Sequence, residues 1–151
     1  MTNPKLKQKL RESLINLLKS ADESNIELAY TIGEGQKINV DVLVKSIYGI
    51  LLNEAKGKTV KDMLLYLPNM EELWLTEYDL TSIPEGIENL TNLKWLHLQA
   101  NKLTSLKGIE NLTNLERLDL DNNELTSLKG IENLTNLKWL YVDNNKLIIT
   151  N

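Results

Sequence analysis

Apolar residues recur along this chain with two different periods. Up to about residue 68 they return every three or four positions, the spacing of helices with one buried side. Beyond that point short apolar–polar alternations recur in a cycle of 22 or 23 residues. The first pattern predicts a run of helices. The second predicts a stack of short strands, each with one face inward.

The helices can be placed from their ends. Residues 1–20 are expected to be helical, with Asn3 as cap, Pro4 in the first position and Leu6, Leu10, Leu14, Leu17 and Leu18 on one side. Glu12, Ser13 and Asn16 fit a solvated side. After a polar break at 21–25, a short helix is expected over 26–32, capped by Ser24 with Glu27 three positions on, and ended by Gly33-Glu34-Gly35. Asn39 should cap a third helix with Val40, Leu43, Val44, Ile47, Ile50 and Leu51 inward and Gly57 as its stop. Thr59, with Asp62 in the capping-box position, should open a fourth whose Met63, Leu64 and Leu67 point inward before Pro68 closes it.

The second half repeats one phrase. Leu93 to Leu103, Leu115 to Leu125 and Leu137 to Leu147 share the frame L-x-x-L-x-L-x-x-N-x-L at 22-residue intervals, apart from Val142 at one leucine position. Between them runs Gly-Ile-Glu-Asn-Leu-Thr-Asn-Leu, from Gly86, Gly108 and Gly130. An earlier copy begins at Met70, is one residue longer near Pro84-Glu85, and has Tyr78 in place of the recurring Asn101, Asn123 and Asn145.

This frame resembles the leucine-rich-repeat family, and the Leu-Thr-Asn-Leu lead-in resembles its 22-residue, internalin-like bacterial subclass. The resemblance implies an α/β architecture: a short right-handed solenoid with a parallel concave sheet, turns or 3₁₀ segments on the convex side, and about 3.5 to 4 repeats over residues 69–151. It also implies that the recurring asparagine bonds backbone groups of the neighbouring turn, which Tyr78 cannot do. Residues 1–68 are expected to be a helical N-terminal cap, because the first repeat of a stack has a face with no neighbour.

Composition narrows the function. The net charge of −4 is uneven: residues 1–68 carry ten basic against eight acidic side chains, and residues 69–151 carry seven against thirteen. An acidic repeat half argues against nucleic acid as partner. No stretch has the length of a membrane span, and the N-terminus lacks the apolar core of a signal peptide. With no cysteine, the expectation is a cytoplasmic protein.

Catalytic chemistry finds little purchase. There is one histidine, and no nucleophile–base series, zinc-ligand spacing or glycine-rich phosphate loop. No cofactor or metal is expected. Asp119, Asp121 and Asp143 with His97 are the one metal constellation worth naming, and a solvated polar surface explains them as well. Asn89, Asn111 and Asn133 sit in Asn-x-Thr triplets as by-products of the repeat.

Strand phase gives a sharper signal. If the leucines of L-x-L face the core, the outward residues are Glu72, Trp74 and Thr76, then Trp95, His97 and Gln99, then Arg117, Asp119 and Asp121, then Trp139, Tyr141 and Asp143. All three tryptophans fall on this face. Exposed rings lower solubility unless a partner covers them, and Trp, Tyr and Arg are the residues most enriched at binding hot spots. Mutual packing of these side chains is the competing explanation.

The expected function is therefore non-catalytic binding of a protein or peptide through Trp74, Trp95, His97, Arg117, Asp119, Asp121, Trp139, Tyr141 and Asp143. The aspartates suggest a ligand carrying Lys or Arg beside an apolar anchor. Two alternatives remain: self-association, such as a homodimer, through an open edge at Leu147 to Thr150, and a recognition module belonging to a larger enzyme.

Overall fold

The computed structural model describes residues 4–20, 22–49, 51 and 59–148. The chain divides into two compact units, Met1–Pro68 and Asn69–Asn151.

The first unit is helical. Helix α1 spans Pro4–Leu18, α2 Glu23–Gly35, α3 Val40–Tyr48 and α4 Val60–Tyr66. Helix α1 packs on α2 and α3, and α4 packs on the same two helices. Leu14, Leu18, Ile26, Ala29, Leu43, Val44, Tyr48, Leu51, Leu64 and Leu67 of this unit are buried. The Glu12, Ser13 and Asn16 side of α1 is exposed. Asn3, Ile50 and Gly57 lie outside the described residues, as do the side chains of Leu6 and Ile47.

Three ends of α2 and α3 differ from expectation. Helix α2 begins at Glu23, because Asp22 rather than Ser24 is its cap: the Asp22 carboxylate accepts the Asn25 amide at 2.9 Å. An acidic side chain at this position also complements the positive end of the helix dipole. At the other end α2 passes through Gly33 instead of stopping there. A Cβ on Gly33 would stand 2.3 Å from Val40 Cγ2, so the glycine serves close packing rather than termination. Helix α3 begins after Asn39 as predicted, with Asn39 accepting the Val42 amide at 3.2 Å. It ends early, at Tyr48, where Gly49 takes φ 46°. The capping box of α4 is present in both directions, Asp62 N–H to Thr59 Oγ1 at 3.1 Å and Thr59 N–H to Asp62 Oδ2 at 3.2 Å. Met63 is half-buried rather than inward.

The second unit is a four-stranded parallel sheet in the order β1-β2-β3-β4. The strands are only three residues long: β1 Glu72–Trp74, β2 Trp95–His97, β3 Arg117–Asp119 and β4 Trp139–Tyr141. Such strands would not persist alone. They are held by a core in which Leu73, Leu75, Leu96, Leu98, Leu118 and Leu120 are fully buried. Ile87, Leu90, Ile109 and Leu112 close that core from the opposite side and are also fully buried. There the backbone makes tight turns, with Leu90, Leu112 and Leu134 amides donating to the carbonyls of Ile87, Ile109 and Ile131 at 2.9 Å. Ile131, expected in the core, is half-buried, as are Leu140 and Val142 of the last rung.

Buried asparagines tie the rungs together. Asn123 Nδ2 donates to the Leu98 carbonyl of the preceding rung at 2.9 Å and the Leu120 carbonyl of its own at 3.0 Å, while its Oδ1 accepts the Leu103 amide at 3.0 Å. Asn101 and Asn145 repeat the arrangement. Tyr78 itself does not bond this way, but its amide is held by Asn101 Oδ1 at 3.1 Å, so the first rung joins the ladder as a recipient. The Glu of each Gly-Ile-Glu-Asn turns back to accept its glycine's amide: Glu88 from Gly86, Glu110 from Gly108, Glu132 from Gly130. Those glycines have φ of 93°, 116° and 113°, which a side chain would strain.

Candidate functional site

The sheet register sorts the outward side chains into columns. Glu72, Trp95, Arg117 and Trp139 stand side by side in one column, and Trp74, His97, Asp119 and Tyr141 in the next. Successive strands are about 4.8 Å apart, so neighbours within a column touch. Along the first column the chemistry runs acid, aromatic, base, aromatic.

Trp74, Trp95, His97, Arg117, Trp139 and Tyr141 line one shallow groove of about 410 Å³, together with Glu72. The tryptophans are exposed: Trp74 by 52%, Trp95 by 42% and Trp139 by 50%. Rings this open on a short sheet leave apolar surface in water that no residue of the array covers.

Mutual packing accounts for part of the face. The Trp74 and His97 rings stack with centroids 3.7 Å apart and planes 7° from parallel. The Arg117 guanidinium lies over Tyr141, 4.7 Å from the ring centre, and reaches to 3.8 Å of Asp119 Oδ2. His97 Nε2 approaches Glu72 Oε1 at 3.4 Å. His97, predicted on the open face, is thus 4% exposed, because the ring from the preceding rung covers it. Burial, and then the positive charge of Arg117, hold His97 below its ordinary pKa against the pull of Glu72 and Asp119.

The three aspartates do not enter the groove lining. Asp119 is buried at 9% exposure, and its Oδ1 receives the Asp121 amide at 3.3 Å. Asp121 Oδ1 receives the Asp143 amide at 2.7 Å. Both carboxylates are committed to backbone, which reduces what they can offer a ligand; Asp143 remains exposed. Glu72, by contrast, belongs to the groove, although from sequence it is placed on the outward face without being counted among the binding residues. Its position beside Trp95, set by the L-x-x-L frame, is the signal that identifies it.

Four buried polar atoms on this face have no hydrogen-bond partner among the described residues: Thr76 Oγ1, His97 Nδ1, Gln99 Oε1 and Arg117 Nε. Most buried polar atoms are satisfied, so such a concentration in one place marks a surface suited to a ligand. Charged pairs border the sheet on both sides. Lys94–Glu71 and Lys138–Glu116 lie before the strands, and Lys102–Asp79 and Lys146–Glu124 after them. Among the described residues no group of three or more His, Cys, Asp or Glu is placed to hold a metal ion. No helix among them is long and apolar enough to cross a membrane.

Comparison with known proteins agrees with the geometry. Residues 91–133 match the family of leucine-rich repeats in two copies. An internalin (inlF) from Listeria monocytogenes str. 4b F2365 is similar over 70% of this chain at 29% identity, with a TM-score of 0.59. Internalin C2 from the same strain matches 62% of the chain at 29% identity and a TM-score of 0.53. A leucine-rich-repeat protein of Leptospira interrogans matches 60% at 42% identity and a TM-score of 0.51. The chain spans only 33%, 40% and 23% of those three structures. No curated protein matches it. Residues 91–133 thus carry leucine-rich repeats, and the parallel sheet they belong to is similar to the arrays of bacterial internalins; leucine-rich-repeat domains in general mediate protein interaction.

Proposed function

We propose that the array is a non-catalytic binding module for a protein or peptide, acting through the groove face of its sheet. The observation that carries this reading is the exposure of Trp74, Trp95 and Trp139 on one side of one small sheet. Trp95, His97, Arg117, Trp139 and Tyr141 form the centre, with Trp74 at one end. Asp119 and Asp121 act from beneath by holding Arg117 and the adjoining backbone, and Asp143 stands at the rim. Aromatic and arginine anchors of this kind dominate binding energy when a partner removes them from water.

The test is capture of partners from a source lysate by the wild-type chain and by a Trp95→Ala/Trp139→Ala variant. Partners that bind the wild type and are lost from the folded variant support the reading. Equal capture by both moves the binding surface elsewhere.

Self-association through β4 is a second reading. The 71% exposure of Ile148, in the β-prone stretch Leu147 to Thr150 whose last two residues lie outside the described ones, favours it. Sedimentation of wild type against Val142→Lys separates the two readings: a dimer lost in the variant supports self-association.

A further inference from the structure

The groove is chemically lopsided. On the β3–β4 side its charged group is Arg117, already stacked on Tyr141 and drawn toward Asp119. On the β1–β2 side it is Glu72, whose close polar neighbour among the described residues is His97. No lysine or arginine of the described residues pairs with Glu72. The tryptophans of the first two rungs flank this carboxylate: Trp95 is its register partner, and Trp74 lies two residues along the same strand.

Of the four unsatisfied atoms on this face, all but the donor Arg117 Nε can accept. With its Nε2 proton directed at Glu72, His97 presents Nδ1 as an acceptor, and that atom is buried without a partner. Gln99 Oε1 and Thr76 Oγ1 are further buried acceptors beside the groove, outside its lining. A carboxylate between two open indole rings, with the His97 acceptor beneath, suits a ligand rich in N–H donors and positively charged. A carboxylate ligand would meet the like charge of Glu72, and the donors near it are neutral: the Trp74 and Trp95 indole N–H groups, the Gln99 amide and the Thr76 hydroxyl.

Resting on the peptide-binding reading above, we infer that the β1–β2 half of the groove is a subsite for an arginine or lysine side chain of an extended partner segment. Glu72 is its counter-ion, and Trp74 and Trp95 are its walls. The apolar neighbours of that side chain then lie toward Trp139. Arginine is preferred to lysine, because a guanidinium can reach Glu72 and a second acceptor at once while lying flat on an indole.

The experiment titrates four peptides into the full chain: acetyl-Leu-Arg-Leu-amide and its Lys, Gln and Glu counterparts. The readout is the three indole N–H signals in a proton–nitrogen NMR spectrum. The expected result is saturable movement of the Trp74 and Trp95 signals. The Arg peptide should bind about tenfold more tightly than the Gln peptide, with Lys between. Glu72→Gln should bring the Arg-to-Gln ratio close to one. Glu124→Gln, the same charge change beyond the groove, should leave the ratio unchanged. Should Glu72→Gln fail to fold, Glu72→Asp tests the subsite by a reduced ratio at unchanged charge.

A Glu peptide that binds as tightly as the Arg peptide overturns the inference, as does an Arg preference that survives Glu72→Gln. If the Gln peptide moves the indoles as strongly as the Arg peptide, the cation subsite falls while binding through the groove stands. If no peptide moves them, the subsite falls, and partner capture alone decides the broader reading.

Discussion

Two parts of the same array obey opposite rules. Inside and along its edges the rungs agree: Asn101, Asn123 and Asn145 make the same bonds, and Glu88, Glu110 and Glu132 close the same turn. On the groove face they disagree. One column reads Glu72, Trp95, Arg117, Trp139, and no two neighbours share a chemistry. Agreement between rungs marks what stacking demands, because each rung must present the next with the same surface. Disagreement marks positions that stacking leaves free. In a protein with few aromatics, those free positions hold every tryptophan.

The largest break of this comparison comes from the agreeing set. Asn123→Ala strips partners from the buried Leu98 and Leu120 carbonyls and the Leu103 amide, and a longer contact from the Asp121 carbonyl. Each buried group left bare costs about 1–3 kcal/mol, so a loss of about 3 kcal/mol or more is expected, read by chemical denaturation. The groove predicts the reverse. Trp95→Ala and Trp139→Ala should each weaken partner binding by about 2 kcal/mol. Stability should change by less than about 1 kcal/mol, since the rings are half in water. A large fall in melting temperature with binding spared would place these tryptophans among the structural residues.

How much of this was legible in the sequence follows the same division. The L-x-L phase identified the inward leucines and the outward tryptophans, because repetition supplies several independent readings of one pattern. The helical unit offers no second copy, and its errors are local. Asp22 displaced Ser24 as a cap because both are competent and only the fold chooses. Gly33 was read as a stop because its approach to Val40 depends on a neighbouring helix. The groove was legible as a face but not as a network. His97 is buried by a ring from another rung, and Asp119 and Asp121 are occupied by backbone amides, and these contacts depend on rotamers that spacing does not determine.

His97 sharpens the comparison through pH. It stands in a free column yet is buried, facing Trp74, Glu72, Arg117 and Asp119. Its native pKa lies below the ordinary value of 6.5, with burial as the first cause. The unfolded chain therefore takes up a proton near 6.5 that the native ring refuses. Stability is highest above that pH, falls as pH drops from 6.5 toward the native pKa, and levels off below it. Denaturation of wild type and His97→Gln between pH 8 and 5 checks this. The wild type should lose more stability over that interval, and an equal loss in both would remove His97 as the cause.

The smallest expected effect lies at a rung position where agreement is incomplete. The residue before each ladder asparagine has left-handed backbone, Ala100, Asn122 and Asn144 at φ 56°, as does Glu77 before Tyr78 at 62°. Asparagine tolerates this region, and Asn144 adds to it by donating to Asn122 Oδ1 at 3.0 Å. Alanine has only the steric cost, because its Cβ crowds the following carbonyl with no local bond in return. Ala100→Asn should therefore stabilise the array by about 0.5–1 kcal/mol and extend the outer asparagine row by one rung. Ala100→Gly separates the two contributions. It relieves the steric cost but loosens the unfolded chain and adds no side-chain bond, so its gain should be smaller than that of asparagine. The binding of groove ligands should not change in either variant, since position 100 is outside the columns that line the groove. A destabilised Ala100→Asn chain would mean that the left-handed turn of the second rung is set by its neighbours and not by its own residue.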